Sequence, residues 1–150
     1  MAIGTTVSAA VHLLFAGLWT GAVVFVTYAV LPTAVKGQIG TDPLEAIVSK
    51  LTTLSRASAF LLLVTGGHLA GTRYTVASLT GTGRGHLVLT MVVLWLALAA
   101  LVEVAAARMR DGLELDKVRT PAENAQSIFR AASLVAVLLL VDAGLLMGGL

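Results

Sequence analysis

The chain contains no cysteine and little charge. Only 12% of its 150 residues are Asp, Glu, Lys or Arg, about half the share found in a typical soluble domain. The absence of cysteine excludes disulfides, thiolate metal ligands and cysteine nucleophiles. The low charge, together with 57% hydrophobic residues, excludes an ordinary soluble domain and indicates a protein that crosses a membrane several times.

The first charge-free stretch runs from about residue 4 to residue 35. As a helix it is longer than the hydrocarbon core of a bilayer, which is about 30 Å thick. No basic segment precedes it, and its apolar run exceeds that of a signal peptide, so a membrane helix is expected. His12 and Trp19 are seven residues apart and share one face. Gly17 and Gly21 form a GxxxG pair, which lets another helix approach closely.

Three further apolar segments follow, and the predicted fold class is all-α, an integral membrane four-helix bundle. The spans are expected at about residues 5–35, 57–72, 86–107 and 131–149 of a single transmembrane domain. Asp42-Pro43 and Thr120-Pro121 are typical of helix N-termini, whereas the Gly/Thr-rich residues 71–85 predict an irregular connector. Because the connections are short, neighbouring helices are expected to run antiparallel, up-down-up-down.

The basic residues are distributed unevenly between the two ends of these helices. The second connector holds two, Arg73 and Arg84. The other eight belong to the first and third connectors: Lys36, Lys50, Arg56, Arg108, Arg110, Lys117, Arg119 and Arg130. The positive-inside rule therefore predicts a multi-pass protein of the cell membrane with both termini outside the cytoplasm. The net charge of +2 then reflects topology and not a nucleic-acid partner.

In this topology most of the chemically active side chains fall in the outer half of the bundle. They are His12, His68, His86, Met91, Met147 and Asp142. An acid inside a membrane is costly, so Asp142 is expected to face the interior with a partner. His12 is the natural partner, as an ion pair or with Asp142 orienting its ring, and Ser8 one turn earlier is a second orienting group. The same contacts also fit a purely structural link between two helices.

Imidazole and thioether groups together suit copper, especially Cu(I). The candidate copper ligands are His12, His68, His86, Met91 and Met147. A histidine pair, His12 and His68, is equally able to hold haem b, with Trp19 lining the pocket. The competing interpretation is that His68 and His86 face lipid headgroups and that both methionines are packing residues.

Part of the chain resembles the copper-resistance D (CopD) family. The resemblance is carried by His12, Trp19, Gly21, Phe25, Leu31-Pro32 and the triplet Gly66-Gly67-His68. It implies an inner- or cytoplasmic-membrane protein that takes up or handles copper, with His12 as the best-matched position. The first helix is also similar to that of HemJ-type protoporphyrinogen oxidases, which share the His-x6-Trp spacing and a following Leu-Pro.

Three hypotheses for the function therefore stand. The leading one is a CopD-like protein, not an enzyme, that binds or passes copper from the outer side. The second is a b-type haem redox protein. The third is an accessory membrane subunit without a cofactor, whose small-residue faces dock onto a larger complex or another copy of the chain. No hydrolytic triad or phosphate-binding loop is expected.

Overall fold

The computed structural model describes residues 3–149, and every regular element within that range is helical. In chain order the elements are α1 (Ile3–Phe25), a π-helical turn (Val26–Val30), α2 (Leu31–Val35), α3 (Thr41–Arg73), α4 (Val76–Gly81), α5 (Gly83–Leu113) and α6 (Arg119–Gly148). The first three elements follow one another without a break and form one continuous segment. The predicted all-α class is confirmed.

Within residues 3–149, four helical segments are long and apolar enough to cross a membrane. They are Ile3–Val35, Thr41–Arg73, Gly83–Leu113 and Arg119–Gly148. Each has 30 to 33 residues, more than the roughly 20 residues that a bilayer core requires. Length and composition thus confirm the prediction of four segments able to span a membrane.

The four segments pack in a ring. The first segment (residues 3–35) contacts α3 and α6, and α5 contacts the same two helices. Thr20 Oγ1 donates a hydrogen bond to the carbonyl of Ala136 at 3.5 Å, and Thr27 Oγ1 donates to that of Phe129 at 3.1 Å. Because a later residue of the first segment meets an earlier residue of α6, these two neighbours run in opposite directions.

The contact between α3 and α5 has the same antiparallel sense. Trp95 Nε1 donates to the carbonyl of Ala59 at 3.1 Å, whereas Arg56, three residues earlier in α3, pairs with Glu103, eight residues later in α5. The guanidinium and the carboxylate meet through two hydrogen bonds, of 2.7 and 3.0 Å. This pair ties the two helices together near the middle of α3.

Apolar side chains fill the interior and also cover much of the outer surface. The largest buried ones are Trp19, Leu31, Leu44, Leu98, Met109 and Phe129. Large hydrophobic side chains such as Leu13, Phe60 and Val93 are exposed. A surface of this kind is a liability in water but suits helices that face lipid, where the backbone hydrogen bonds are satisfied within each helix.

The π-helical turn lies directly before Pro32. The N–H of Leu31 bonds to the carbonyl of Val26, one residue further back than in an α-helix. Proline has no N–H and its ring crowds the preceding turn of an α-helix. Widening the turn before Pro32 accommodates the ring without ending the segment, a common cause of π-bulges and local bends.

Two predicted helix caps are wrong, and one helix was not predicted. α3 follows Gly40 and α6 follows Val118, and neither start has a side-chain cap. Asp42 therefore lies in the first turn of α3, where its charge still complements the helix dipole. The connector predicted as irregular contains α4, which starts with a capping box formed by Thr75 and Ser78.

Candidate functional site

His12 is held in the bundle by a hydrogen bond to the neighbouring helix α3. Its Nδ1 lies 2.8 Å from Oγ1 of Thr65, and the same oxygen lies 2.6 Å from the carbonyl of Leu61. A threonine hydroxyl has one hydrogen, and the carbonyl of Leu61 can only accept it. Thr65 therefore accepts from a protonated Nδ1, which leaves Nε2 of the neutral ring with a free lone pair.

Gly66 provides the space that the His12 ring occupies. A Cβ atom built on Gly66 would lie 2.9 Å from Cε1 of His12, closer than two such atoms normally approach, and 3.5 Å from Nδ1. Thr65 and Gly66 thus act together, because one orients the ring and the other makes room for it. This arrangement is common around metal-binding histidines, where an oxygen fixes the tautomer through the nitrogen that does not bind metal.

The other two histidines are exposed and lie apart from this contact. His68 follows Thr65 by about one helical turn but its side chain is exposed. His86, also exposed, places Nε2 at 2.9 Å from the carbonyl of Thr80. The carbonyl can only accept, so Nε2 of His86 carries the proton and closes the turn between α4 and α5.

Met91 lies one turn before Trp95, on the same side of α5. Trp95 bonds to Ala59 of α3. Thr65 lies about 9 Å beyond Ala59 along α3, and Met91 lies about 6 Å beyond Trp95 in the same direction of the bundle. Half-buried Met91 therefore sits near the level of His12. Met147, near the end of α6, is 77% exposed.

Asp142 is buried at the same end of the bundle. It lies six residues beyond Ala136, whose carbonyl meets Thr20, whereas His12 lies eight residues before Thr20. Both intervals amount to roughly 9–12 Å of helix rise. Asp142 is only 5% exposed, and no hydrogen-bond partner for its Oδ2 occurs among residues 3–149.

The described residues do not join Asp142 or the other histidines to His12 in a preformed cluster. Within residues 3–149 the one ion pair is that of Arg56 with Glu103. The same range has no group of three or more His, Asp or Glu side chains arranged to hold a metal. Ser8, one turn before His12, is half-buried. At the end of the bundle that holds His12 and Asp142, the imidazole of His12 is thus the one half-buried candidate ligand that a neighbouring helix orients among the described residues.

Trp19 and the GxxxG pair occupy opposite faces of the first segment. Trp19 is 1% exposed and packs in the core, and its Nε1 finds no partner in the described part of the chain. A Cβ atom on Gly17 or Gly21 would meet nothing within 4 Å. These two glycines lie in an open apolar groove on the outside of the bundle, and they do not form the contact between α1 and α3.

The residues that orient His12 were not identified from the sequence. Thr65 is one of many threonines in the chain, and Gly66 belongs to the triplet that ends at His68, which does not point to His12. A threonine followed by a glycine inside an apolar helix was the available signal, because glycine is unfavourable in a helix interior unless space is needed. The pairing of position 12 with position 65 depends on helix rotation, which the sequence does not specify.

Comparisons with protein-family models, with curated proteins and with solved structures give no match for this chain. The chemistry of the His12 region is therefore the basis for assigning a function.

Proposed function

We propose that this chain is an integral membrane protein of CopD-like type that binds or passes copper at His12. The observation that carries the proposal is the hydrogen bond from His12 Nδ1 to Thr65 Oγ1. It fixes the ring in the tautomer that leaves Nε2 free to bind a metal. A histidine that served only to join two helices would need the bond but not the space that Gly66 provides on α3.

The types of donor at the His12 end of the bundle suit Cu(I) better than other common metals. Met91 supplies a soft thioether at the level of His12, and imidazole with thioether favours copper. Zinc requires about four nitrogen, sulphur or oxygen ligands, a set that the described residues do not assemble. We assign His12 as the primary ligand and Met91 as the auxiliary one, with exposed His68 and Met147 as further donors near that end and Asp142 as the supporting acid.

We further propose that the segments cross the cell membrane in an up-down-up-down order with both termini outside. The antiparallel contacts and the four lengths sufficient to span a membrane support this topology. Eight of the ten basic residues belong to the first and third connectors, which supports placing those connectors in the cytoplasm. Copper would then reach His12 from the outside. Tags at either terminus should react with an impermeant reagent added to intact cells, and labelling only after lysis would contradict the orientation.

The decisive experiment is metal analysis with an absorption spectrum on the full chain purified in mild detergent. We expect close to one Cu(I) per chain, no Soret band, and loss of copper in His12→Ala. His86→Ala is the matched control, because it removes an exposed histidine whose Nε2 is already bonded to Thr80, and it should retain copper.

Other outcomes point to the two alternatives. A Soret band that shifts on reduction and disappears in His12→Ala would replace the copper proposal with the haem b protein. Neither metal nor haem in the wild type, with full stability of His12→Ala, would leave an accessory subunit without a cofactor.

A further inference from the structure

Arg73 and Arg84 line one open cleft at the end of the bundle. Arg73 is the last residue of α3, and Arg84 is the second residue of α5. Tyr74 and Gly149 also line the cleft. A Cβ atom on Gly149 would lie 3.4 Å from Nη2 of Arg84, so the end of α6 forms one wall. The structure thus brings together the only two basic residues of the second connector.

Among the described residues, no Asp or Glu lines this cleft or pairs with either arginine. The sequence contains no Asp or Glu between residues 57 and 102. Within residues 3–149, neither arginine takes part in an ion pair or a side-chain hydrogen bond, and the one ion pair found there joins Arg56 to Glu103. Two guanidinium groups that share a concave surface repel each other, and a bound anion would remove that cost.

The first turn of α5 adds backbone donors at the same place. The side-chain Oγ1 of Thr82 accepts a hydrogen bond from the N–H of Gly85, and the backbone carbonyl of Thr82 accepts one from the N–H of His86. The first four N–H groups of a helix lack partners within it, so those of Gly83 and Arg84 remain. Both residues line the cleft, and the positive end of the α5 dipole supports the charge of the two arginines.

We infer that this cleft binds a phosphate group through Arg73, Arg84 and the Tyr74 hydroxyl. One guanidinium group can donate two parallel N–H bonds to the oxygens of a phosphate, so it binds phosphate with more specific geometry than a single-point donor such as Lys. α3 ends and α5 begins at this cleft, and each is long enough to cross a bilayer, so the phosphates within reach are those of lipid headgroups. We therefore assign the site to an anionic phospholipid, with soluble phosphate as the other source of the same chemistry.

The test measures which lipids and anions stay bound to the full chain in detergent. Native mass spectrometry counts retained phosphatidylglycerol and phosphatidylcholine, and ³¹P NMR follows titration with inorganic phosphate. We expect preferential retention of phosphatidylglycerol, weakened about fivefold by Arg73→Gln or Arg84→Gln, as one basic residue near a membrane surface contributes. The double variant should lose the preference. Arg84→Lys keeps the charge but loses the planar guanidinium that donates two parallel bonds, so it should show an intermediate loss of phosphatidylglycerol retention.

Arg108→Gln is the matched control, because it removes an exposed arginine far from the cleft and should leave lipid retention unchanged. Equal lipid retention by the double variant and the wild type, or an equal loss in Arg108→Gln, would overturn the site. Binding of inorganic phosphate that disappears in the double variant would support the site and overturn its assignment to lipid. Copper takes no part in the measurement, so its outcome is independent of the function proposed above.

Discussion

The imidazole of His12 occupies the space that a side chain at Gly66 would fill. The ring's Cε1 lies 2.9 Å from the position of a Cβ atom on Gly66, and the adjacent Thr65 accepts the hydrogen bond from Nδ1. Two consecutive residues of α3 thereby fix both the position and the tautomer of one histidine of α1. Thr65 and Gly66 thus position the ring together, and each of them can be substituted separately.

Replacing Gly66 with alanine should displace the His12 ring and weaken copper binding. The expected loss is about tenfold or more, as for other residues that orient a metal ligand, measured by competition with a chromogenic Cu(I) chelator. Gly67→Ala is the matched control, because a Cβ atom there meets nothing within 4 Å. It should bind copper normally and stabilise α3 by up to about 1 kcal/mol. Equal copper affinity in both variants would show that the ring position does not matter.

Thr65→Val should impair the same site without changing the shape of the side chain. Valine cannot accept from Nδ1 of His12, so the ring loses its fixed tautomer, and copper affinity is expected to fall about 10- to 100-fold. Thr65→Ser keeps the hydroxyl and should recover most of the affinity. ¹⁵N NMR of labelled histidine gives a second readout, since loss of the bond mixes the two tautomers. Unchanged spectra in Thr65→Val would contradict the assigned tautomer.

The four segments that are long and apolar enough to span a membrane were predictable, because they follow from composition and length alone. A stretch without charge, such as residues 4–35, needs only its length to be recognised as a membrane helix. The helix ends were harder, since Asp42 and Thr120 match cap patterns but the helices start before them. α4 was missed because a Gly/Thr-rich stretch such as residues 71–85 favours turns unless a local capping box, here Thr75 with Ser78, starts a helix.

The candidate site was only partly predictable, because a helix with apolar residues on every face does not reveal which face is buried. The sequence indicated His12 as the leading candidate and predicted that Asp142 is buried. It left open whether His68 and His86 bind a ligand or face lipid headgroups, and both are exposed. The GxxxG pair illustrates the same difficulty. Gly17 and Gly21 suit close packing, yet α1 turns them outwards and packs Trp19 inwards.

The buried carboxyl group of Asp142 should cost stability that an amide would not. Its Oδ2 has no partner among residues 3–149, and an acid within a membrane costs roughly 2.5–3.5 kcal/mol on insertion scales. Asp142→Asn should therefore raise the unfolding midpoint in denaturing detergent and, if Asp142 supports the site, lower copper affinity several-fold. Asp111→Asn, at an exposed position, should change neither. A lower unfolding midpoint for Asp142→Asn would mean that the carboxylate has a partner in the membrane.

The contact between the first segment and α6 should show a measurable coupling between Thr27 and Ser133. Ser133 Oγ donates to Thr27 Oγ1 at 2.9 Å, and Thr27 in turn bonds to the carbonyls of Val23 and Phe129. Thr27→Val and Ser133→Ala should each be destabilising, and a double-mutant cycle should give a coupling free energy of about 0.6 kcal/mol, typical of polar contacts between membrane helices.

Thr53 provides the control for this cycle. Its hydroxyl is exposed and bonds only within α3, to the carbonyl of Ser49 at 3.1 Å. Thr53→Val combined with Ser133→Ala should therefore be additive, because the two residues share no partner. Additivity of Thr27→Val with Ser133→Ala would show that the hydroxyls do not meet in the membrane. The antiparallel contact between the first segment and α6 would then rest on apolar packing around Phe129 and on the bonds from Thr20 and Thr27 to backbone carbonyls of α6.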